Sequence, residues 1–225
     1  MTNRFPALDA IHGIRAIFTR RVPGLDVCIG REEALGRLEP FLLQVRKDAG
    51  LGDMTFATAE QVHGNRVAEV SSDSLFPIPN ADGLLTTVPG ICLGVYVADC
   101  AAVFLADRHA QGIALVHSGK KGTELGIAAA AAKALCAATG GAPSDLVAQI
   151  SPCIRPPHYE IDFASNIVRQ LKDLGVGEVH DCGICTASNP DSYYSYRLEK
   201  GRTGRMLAML AILPEISTDG EPQLV

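Results

Sequence analysis

A thiol and an imidazole lie at the far ends of two short apolar segments that are separated by a turn-like stretch. Residues 102–106 and 112–117 have the length and composition of strands, and residues 107–112 read as the turn between them. If the strands pair across a turn centred between Arg108 and His109, Cys100 lies directly opposite His117. Side chains paired in this way have Cβ atoms about 4.5–5.5 Å apart. The register therefore predicts that the thiol and the imidazole share a proton or a metal ion.

This pair permits two kinds of chemistry. An imidazole lowers the pKa of a nearby thiol, so Cys100 could be a thiolate nucleophile activated by His117. Alternatively, both side chains bind zinc with a third ligand, and the fourth position stays open as in catalytic zinc sites. His63, in a turn-like segment before a predicted strand, is the natural third ligand. Asp99 precedes the thiol and would orient a ligand or accept a proton, or else only hydrogen-bond a nearby turn.

The segment after the imidazole combines glycines, lysines and the start of a helix. Residues 118–123 read Ser-Gly-Lys-Lys-Gly-Thr, and Thr123 is the expected N-cap. The free N–H groups of a helix N-terminus and the charge of Lys121 would together bind an anion. The spacing is not that of a P-loop, and the alternative is a solvated loop with two ordinary lysines.

The elements that must position these groups alternate between helices and strands. Pro40 is expected to kink or split the first long helix, and Asp162 is expected to cap a later one. We predict helices over 31–50, 123–139, 162–174 and 203–212, and strands over 65–70, 91–98, 102–106, 112–117 and 146–150. The mixture favours an α/β or α+β fold, a single domain over 1–225 with a mixed β-sheet covered by helices.

Composition excludes several classes of protein. The apolar fraction of 47% and charged fraction of 20% over 225 residues are those of a globular protein. The net charge of −5, with no Lys/Arg block, argues against nucleic acid as a partner. No apolar run approaches the roughly 20 residues of a membrane-spanning helix, and the N-terminus has no signal core, so a cytoplasmic location is expected. Seven cysteines, an odd number, fit reduced thiols, and Cys28, Cys92 and Cys136 read as core residues.

Eight short motifs occur in a fixed order and together resemble one known family. They are QVHGN at 61–65, ADG at 81–83, VADC at 97–100, VHSGKKGT at 116–123, SPCI at 151–154, YEID at 159–162, SYR at 195–197 and TGRM at 203–206. The ordered set, over about residues 15–212, resembles the YfiH-type laccase-domain family, also called multicopper polyphenol oxidase-like proteins.

The resemblance implies an activity, a metal and a fold. It implies a zinc-dependent purine nucleoside phosphorylase acting on adenosine, inosine and methylthioadenosine, with adenosine deaminase activity as well. It implies that His63, Cys100 and His117 are the zinc ligands, within a compact CNF-toxin/YfiH-like domain grouped with cysteine-hydrolase-like proteins. The older laccase label implies copper in place of zinc. The resemblance also implies small-molecule substrates, a purine nucleoside and phosphate. The protein is expected to be a monomer or small homo-oligomer.

One departure from the family pattern concerns the expected substrate contacts. The family usually reads HAGWRG where this chain reads HSGKKG, so Lys121 keeps the positive charge without the planar fork of arginine. The candidate substrate and phosphate contacts are Lys121, Thr123, Arg197, Arg205 and Gln61. Three rival functions remain open at this point: a Cys–His hydrolase or amidase editing a peptidoglycan precursor, a copper-dependent phenol oxidase, and a non-catalytic binding module.

Overall fold

Eleven strands in the part of the chain that the structure describes form two sheets. The structure is a computed structural model, and it describes residues 2–214. The first sheet has the order β1-β2-β11-β6-β3 and the second the order β10-β9-β7-β8-β5-β4. The strands are β1 (Thr2–Asn3), β2 (Ile14–Thr19), β3 (Thr55–Thr58), β4 (Val67–Glu69), β5 (Gly83–Thr86), β6 (Ile91–Val97), β7 (Ala101–Asp107), β8 (Ile113–Ser118), β9 (Leu146–Ile150), β10 (Glu178–Asp181) and β11 (Met206–Ile212).

Five helices lie in the described part of the chain, and the three longer ones pack on the sheets. The five helices are α1 (Pro6–Asp9), α2 (Arg31–Asp48), α3 (Lys120–Glu124), α4 (Ile127–Thr139) and α5 (Phe163–Asp173), with a 3₁₀ turn at Pro143–Asp145. Helix α2 lies on the first sheet, where the guanidinium carbon of Arg46 is 4.3 Å from the ring centroid of Phe56. The same ring sits over Gly94 of β6, where a Cβ atom would lie 2.5 Å from it. Glycine there makes room for the Phe56 ring of β3 beneath α2.

Strand β7 shows why both faces of the second sheet are apolar. Ala102 and Phe104 belong to the core between the two sheets. Val103 and Leu105 point the other way, into the core formed with α4 and α5. Because side chains alternate along a strand, a strand buried on both faces must be apolar at every position. His117, on the neighbouring strand β8, has the parity of Leu115 and therefore lies at the end of the core between the sheets.

Most of the predicted elements are confirmed, and so is the mixed α/β class. The predicted strands over 65–70, 91–98, 102–106, 112–117 and 146–150 appear as β4, β6, β7, β8 and β9. Asp162 caps α5, since its Oδ1 accepts a hydrogen bond of 3.0 Å from the N–H of Ser165. Pro40 lies inside α2, which runs unbroken past it. The strands are divided between two sheets, where the sequence predicts one.

One predicted helix is wrong and another is interrupted. Residues 203–212, predicted as a helix, contain β11, which is buried throughout and pairs with β2 on one side and β6 on the other. The predicted helix 123–139 is divided into α3 and α4 at Gly126, which has φ +72°. Thr123 is consequently not an N-cap: it lies inside α3 and is buried, with its hydroxyl 2.8 Å from that of Ser118.

The cysteines are all free thiols with different exposures. Cys92 and Cys153 are buried, whereas Cys28, predicted as a core residue, is exposed and Cys136 is half-buried. Burial raises the pKa of the Cys92 thiol to about 12, which makes it an unreactive packing residue. Within residues 2–214, no helix has the length and hydrophobicity that crossing a membrane requires.

Candidate metal centre

The hairpin of β7 and β8 brings the predicted thiol and imidazole together in a register different from the predicted one. Ala102, not Cys100, is the direct partner of His117. The turn is longer than assumed, because the N–H of Asp107 bonds to the carbonyl of Gly112 at 3.0 Å and leaves four residues in the loop. Since side chains alternate with period two, a shift of two residues leaves Cys100 on the same face as His117. The two are diagonal neighbours on that face.

His63 completes a cluster of three potential metal ligands. One ligand atom from each of His63, Cys100 and His117 lies within 4.8 Å of the others. The two imidazole rings meet edge to face, with centroids 4.7 Å apart. His117 is buried, Cys100 is half-buried and His63 is exposed, so the cluster faces solvent on one side. The structure thus gathers the three side chains that the sequence proposed as metal ligands.

Asp82 organises this cluster, although it was not predicted as a site residue. Its buried carboxylate lies 2.8 Å from Nδ1 of His117, which leaves Nε2 for the side of Cys100 and His63. The same carboxylate accepts hydrogen bonds from the N–H groups of Val62 (3.0 Å), His63 (2.8 Å) and Gly64 (2.7 Å). A carboxylate behind a metal-binding histidine fixes the ring and its tautomer. Asp82 therefore positions both histidines, one through its ring and the other through its backbone.

The loop that carries His63 is held in an unfavourable backbone conformation. Gln61 and His63 both have positive φ, +61° and +60°. Non-glycine residues rarely adopt this region, and such strain is concentrated at functional sites. The Gln61 amide contributes to holding the loop, since its Nε2 donates to the carbonyl of Tyr96 at 2.7 Å and its Oε1 accepts from the N–H of Tyr96 at 3.0 Å. The polar atoms of Gln61, a predicted substrate contact, are thus bonded to β6.

Hydrogen bonding within the cluster overcomes the effect of burial on both central groups. Burial raises the pKa of Cys100, but hydrogen bonds from His117 and His63 bring it down to about 7. Burial lowers the pKa of His117, but hydrogen bonds to Asp82 and Cys100 raise it to about 9. The thiolate is the form that binds metals and attacks electrophiles. The site therefore increases the fraction of Cys100 that is thiolate at neutral pH, relative to an ordinary cysteine.

The donor set fits a catalytic zinc ion. One sulfur and two imidazole nitrogens are three ligands of the types that zinc prefers, and three protein ligands leave the fourth tetrahedral position open. The exposed side of the cluster at His63 provides access to that position. Copper also accepts imidazole and thiolate ligands, so the residues alone do not specify the metal.

A substitution at Gly119, next to the Cys100 thiol, tests the cluster without removing any of the three proposed ligands. A Cβ atom on Gly119 would lie 2.5 Å from Sγ of Cys100, so Gly119→Ala must displace the sulfur. We expect Gly119→Ala to weaken metal binding at least about 10-fold, comparable to losing a group that orients a ligand. Gly36→Ala, on an open surface of α2, is the matched control and should bind metal like the wild type. Equal metal affinity in the two variants, measured by competition with a chelator, would show that Cys100 is not a ligand.

Asp99 joins three loops at the mouth of the site. Its Oδ1 accepts a hydrogen bond of 2.7 Å from the hydroxyl of Thr186. Its Oδ2 accepts from the hydroxyl of Ser195 at 3.0 Å and from the N–H of Arg197 at 2.7 Å. These bonds hold Asp99 at φ +81°, beside Cys100. The carboxylate predicted as catalytic is thus occupied by protein donors, a geometry suited to positioning the mouth of the site.

A cavity of about 440 Å³ opens over the cluster. This volume lies in the usual range for small-molecule sites. Aromatic and charged side chains share its wall with the three clustered residues. The lining residues are Arg31, Gln61, His63, Tyr96, Ala98, Asp99, Cys100, His117, Gly119, Lys120, Ile154, Tyr159, Phe163, Tyr196, Arg197 and Arg205.

Only some of the predicted phosphate contacts lie at the cavity. Arg197 and Arg205 line the cavity. Lys121 and Thr123 are not among the lining residues, and Lys120 takes the place expected for Lys121. Helix α3 is only five residues long, so the predicted anion site at the start of a long helix does not form there.

Several residues of the site were missed, and Asp82, Arg31 and Tyr196 show the reasons. Asp82 stands in the ADG segment that carries the family resemblance, so the signal for it was present in the sequence. Tyr196 likewise stands in the SYR motif at 195–197. Arg31 had no signal, since nothing in the sequence indicates that the start of α2 lies at the cavity.

Known proteins match this chain in both sequence and fold. The multi-copper polyphenol oxidoreductase laccase family matches residues 41–166 and 158–213. A purine nucleoside phosphorylase of Streptomyces coelicolor is 29% identical over 233 aligned positions, covering 88% of this chain and 95% of that protein. A purine nucleoside phosphorylase of Streptomyces griseus is 30% identical, covering 70% of this chain and 74% of that protein.

Two solved structures share the fold. The hypothetical protein YfiH of Bacillus licheniformis has a TM-score of 0.78 at 21% identity, covering 91% of this chain and 94% of that chain. YlmD of Geobacillus stearothermophilus has a TM-score of 0.74 at 23% identity, covering 91% and 93%. With the match of the family over most of the described residues, they confirm the resemblance seen in the motifs. The chain belongs to the multi-copper polyphenol oxidoreductase laccase family.

Proposed function

We propose that the protein is a zinc-dependent purine nucleoside phosphorylase. The observation that carries the proposal is the cluster of His63, Cys100 and His117 at a cavity that also presents aromatic rings and positive charges. The relatives named purine nucleoside phosphorylase support the reaction type. Adenosine, inosine and methylthioadenosine are the substrates proposed.

The cavity wall suits the two halves of the reaction. Inorganic phosphate attacks C1′ of the nucleoside, the bond from C1′ to N9 breaks, and its electron pair leaves with the purine. Positive side chains of the cavity wall would attract and hold the phosphate anion. The rings of Tyr159 and Phe163, with centroids 6.0 Å apart, present apolar surface of the kind that packs against a purine. Holding both reactants in one cavity supplies much of the rate enhancement.

The clustered residues would hold the metal next to the substrate. His63, Cys100 and His117 would be the ligands, with Asp82 orienting the two histidines. When bound, zinc supplies a Lewis acid that polarises an oxygen or nitrogen atom of a substrate. The strained loop at His63 and the hydrogen bonds of Asp99 keep the ligands and the cavity mouth in fixed positions before substrate enters.

The test is the dependence of base release on phosphate. Zinc-loaded protein is incubated with adenosine, inosine or methylthioadenosine, with and without inorganic phosphate. We expect free base and sugar-1-phosphate in equal amounts, and only when phosphate is present. Release of ammonia from adenosine would reveal deamination as a second activity of the same site. The absence of base release from all three nucleosides, at full zinc occupancy, would refute the proposal.

Removing the metal separates this function from the rival use of Cys100 as a nucleophile. A chelator should abolish phosphorolysis, and zinc should restore it. Activity that persists without metal and is lost on alkylation of Cys100 would instead indicate a thiol hydrolase. Activity restored by copper but not by zinc, with a phenol as substrate, would indicate an oxidase.

A further inference from the structure

Two arginines from distant parts of the chain meet at the cavity without a carboxylate partner. Arg31 is the first residue of α2, and Arg205 directly precedes β11. Both line the cavity over the metal cluster. Among residues 2–214, neither forms a salt bridge, whereas Arg197 at the same cavity lies 2.8 Å from a carboxylate oxygen of Glu160. Asp99, the one acidic residue of the cavity wall, accepts three hydrogen bonds from other protein groups.

The guanidinium group of Arg205 is held in place with one side free. Its Nη1 donates hydrogen bonds of 2.9 Å to the carbonyls of Thr203 and Gly204. Its central carbon lies 5.7 Å from the ring centroid of Tyr196, which also lines the cavity. In the described part of the chain, Nε and Nη2 have no acceptor. A fixed guanidinium with free N–H groups matches the oxygen atoms of a phosphate.

The two positive charges make this part of the cavity favourable for an anion. Arg205 is half-buried. Burial, and after it the nearby charge of Arg31, lowers the pKa of Arg205 below its usual range. Arg31 is exposed. Two like charges that are brought together destabilise each other unless an anion lies between them, the more so where one of them is partly removed from water. A bound oxyanion would relieve this repulsion and satisfy the free N–H groups.

The other positive groups of the cavity are less suited to the role. Arg197 is paired with Glu160 and lies with its guanidinium carbon 5.1 Å from the ring centroid of Tyr159. Lys120 offers a point charge without a planar pair of donors.

We propose that Arg31 and Arg205 form the subsite that binds the phosphate oxyanion of the reaction. The inference rests on the proposed function and assigns its anionic substrate to one end of the cavity. The anion is either inorganic phosphate or the phosphate ester of a nucleoside 5′-monophosphate, which share the same tetrahedral chemistry. Inorganic phosphate is the source that phosphorolysis requires.

Direct binding of phosphate tests the subsite independently of turnover. Radiolabelled inorganic phosphate is dialysed to equilibrium against the zinc-loaded wild type and the variants Arg31→Gln, Arg205→Gln, Arg205→Lys and Arg169→Gln. Arg169, exposed on α5 and outside the cavity wall, gives a control with the same loss of charge. Zinc content and thermal unfolding of each variant show that it is folded and metal-loaded.

We expect about one phosphate per chain in the wild type and in Arg169→Gln. The affinity should fall at least about 10-fold in Arg31→Gln and Arg205→Gln, and Arg205→Lys should recover part of it. No phosphate binding by the wild type, or equal affinity in all variants, would overturn the subsite. Phosphorolysis with unchanged KM for phosphate in both glutamine variants would overturn the subsite and leave the proposed function standing. Phosphate binding that depends on both arginines, without any phosphorolysis, would support the subsite and refute the proposed function.

A second arm identifies the source of the anion. Adenosine 5′-monophosphate and adenosine compete with labelled phosphate in the same dialysis. Displacement by adenosine 5′-monophosphate at least about 10-fold better than by adenosine, lost in Arg205→Gln, would assign the subsite to a phosphate ester and overturn the assignment to inorganic phosphate. No such preference supports inorganic phosphate.

Discussion

Alanine in place of Cys100 is expected to weaken metal binding by at least about 100-fold and to lower turnover by a similar factor, because one of three protein ligands is lost. The same result is expected for His63→Ala and His117→Ala, since ligand atoms of all three residues lie within 4.8 Å of one another. The amount of metal bound per chain, measured after dialysis by inductively coupled plasma mass spectrometry, gives the result directly. Zinc-dependent base release from inosine gives the effect on turnover.

Cys28→Ala is the matched control for the loss of a thiol. Cys28 is exposed and far along the chain from the cluster, so its replacement should leave the metal content unchanged. A circular dichroism spectrum for each variant separates loss of metal from loss of fold. Unchanged metal content in all three ligand variants would contradict the assignment of the site.

Replacing Asp82 with asparagine is expected to have the second largest effect. Asp82 accepts hydrogen bonds from three backbone N–H groups and lies 2.8 Å from Nδ1 of His117. An asparagine amide has one acceptor oxygen in place of two and brings N–H groups toward donors. We expect metal affinity to fall about 10–100-fold, as for other carboxylates behind a histidine ligand. Each buried donor left without a partner should lower the free energy of unfolding by about 1–3 kcal/mol.

Asp107→Asn distinguishes the loss of a positioning group from a general loss of stability. Asp107 is also buried in the β7–β8 hairpin, but it lies at the opposite end and accepts a hydrogen bond of 2.8 Å from the N–H of His109. It should destabilise the protein in urea while leaving metal affinity unchanged. A chelator titration in which Asp82→Asn binds metal as tightly as Asp107→Asn would contradict the role given to Asp82.

The strands around the site could be predicted from the sequence because their apolar runs are short and separated by polar turns. The predicted register of the β7–β8 hairpin differs from the observed one by two residues, yet Cys100 and His117 still share a face. The error was harmless because side chains repeat every two residues, so only a shift of one would have separated them. His63 was a weak candidate by itself, and the ordered motifs of the family supported it.

Residues 203–212 show where local pattern is insufficient. The run of Met, Leu and Ala in β11 consists of good helix formers, and intrinsic preference favours a helix. The tertiary position overrides this preference, because the segment is the central strand of a sheet, buried on both faces. Arg31 and Arg205 could not be paired for the same reason: their proximity depends on how α2 and β11 pack, which no local pattern encodes.

X-ray absorption at the zinc edge of the wild-type protein tests the central claim most directly. We expect one sulfur at about 2.3 Å and two imidazole nitrogens at about 2.0–2.1 Å, with one further light atom completing the coordination. The sulfur should disappear from the spectrum in Cys100→Ala. A zinc ion without a sulfur neighbour, or with two, would contradict the assignment of His63, Cys100 and His117 as its ligands.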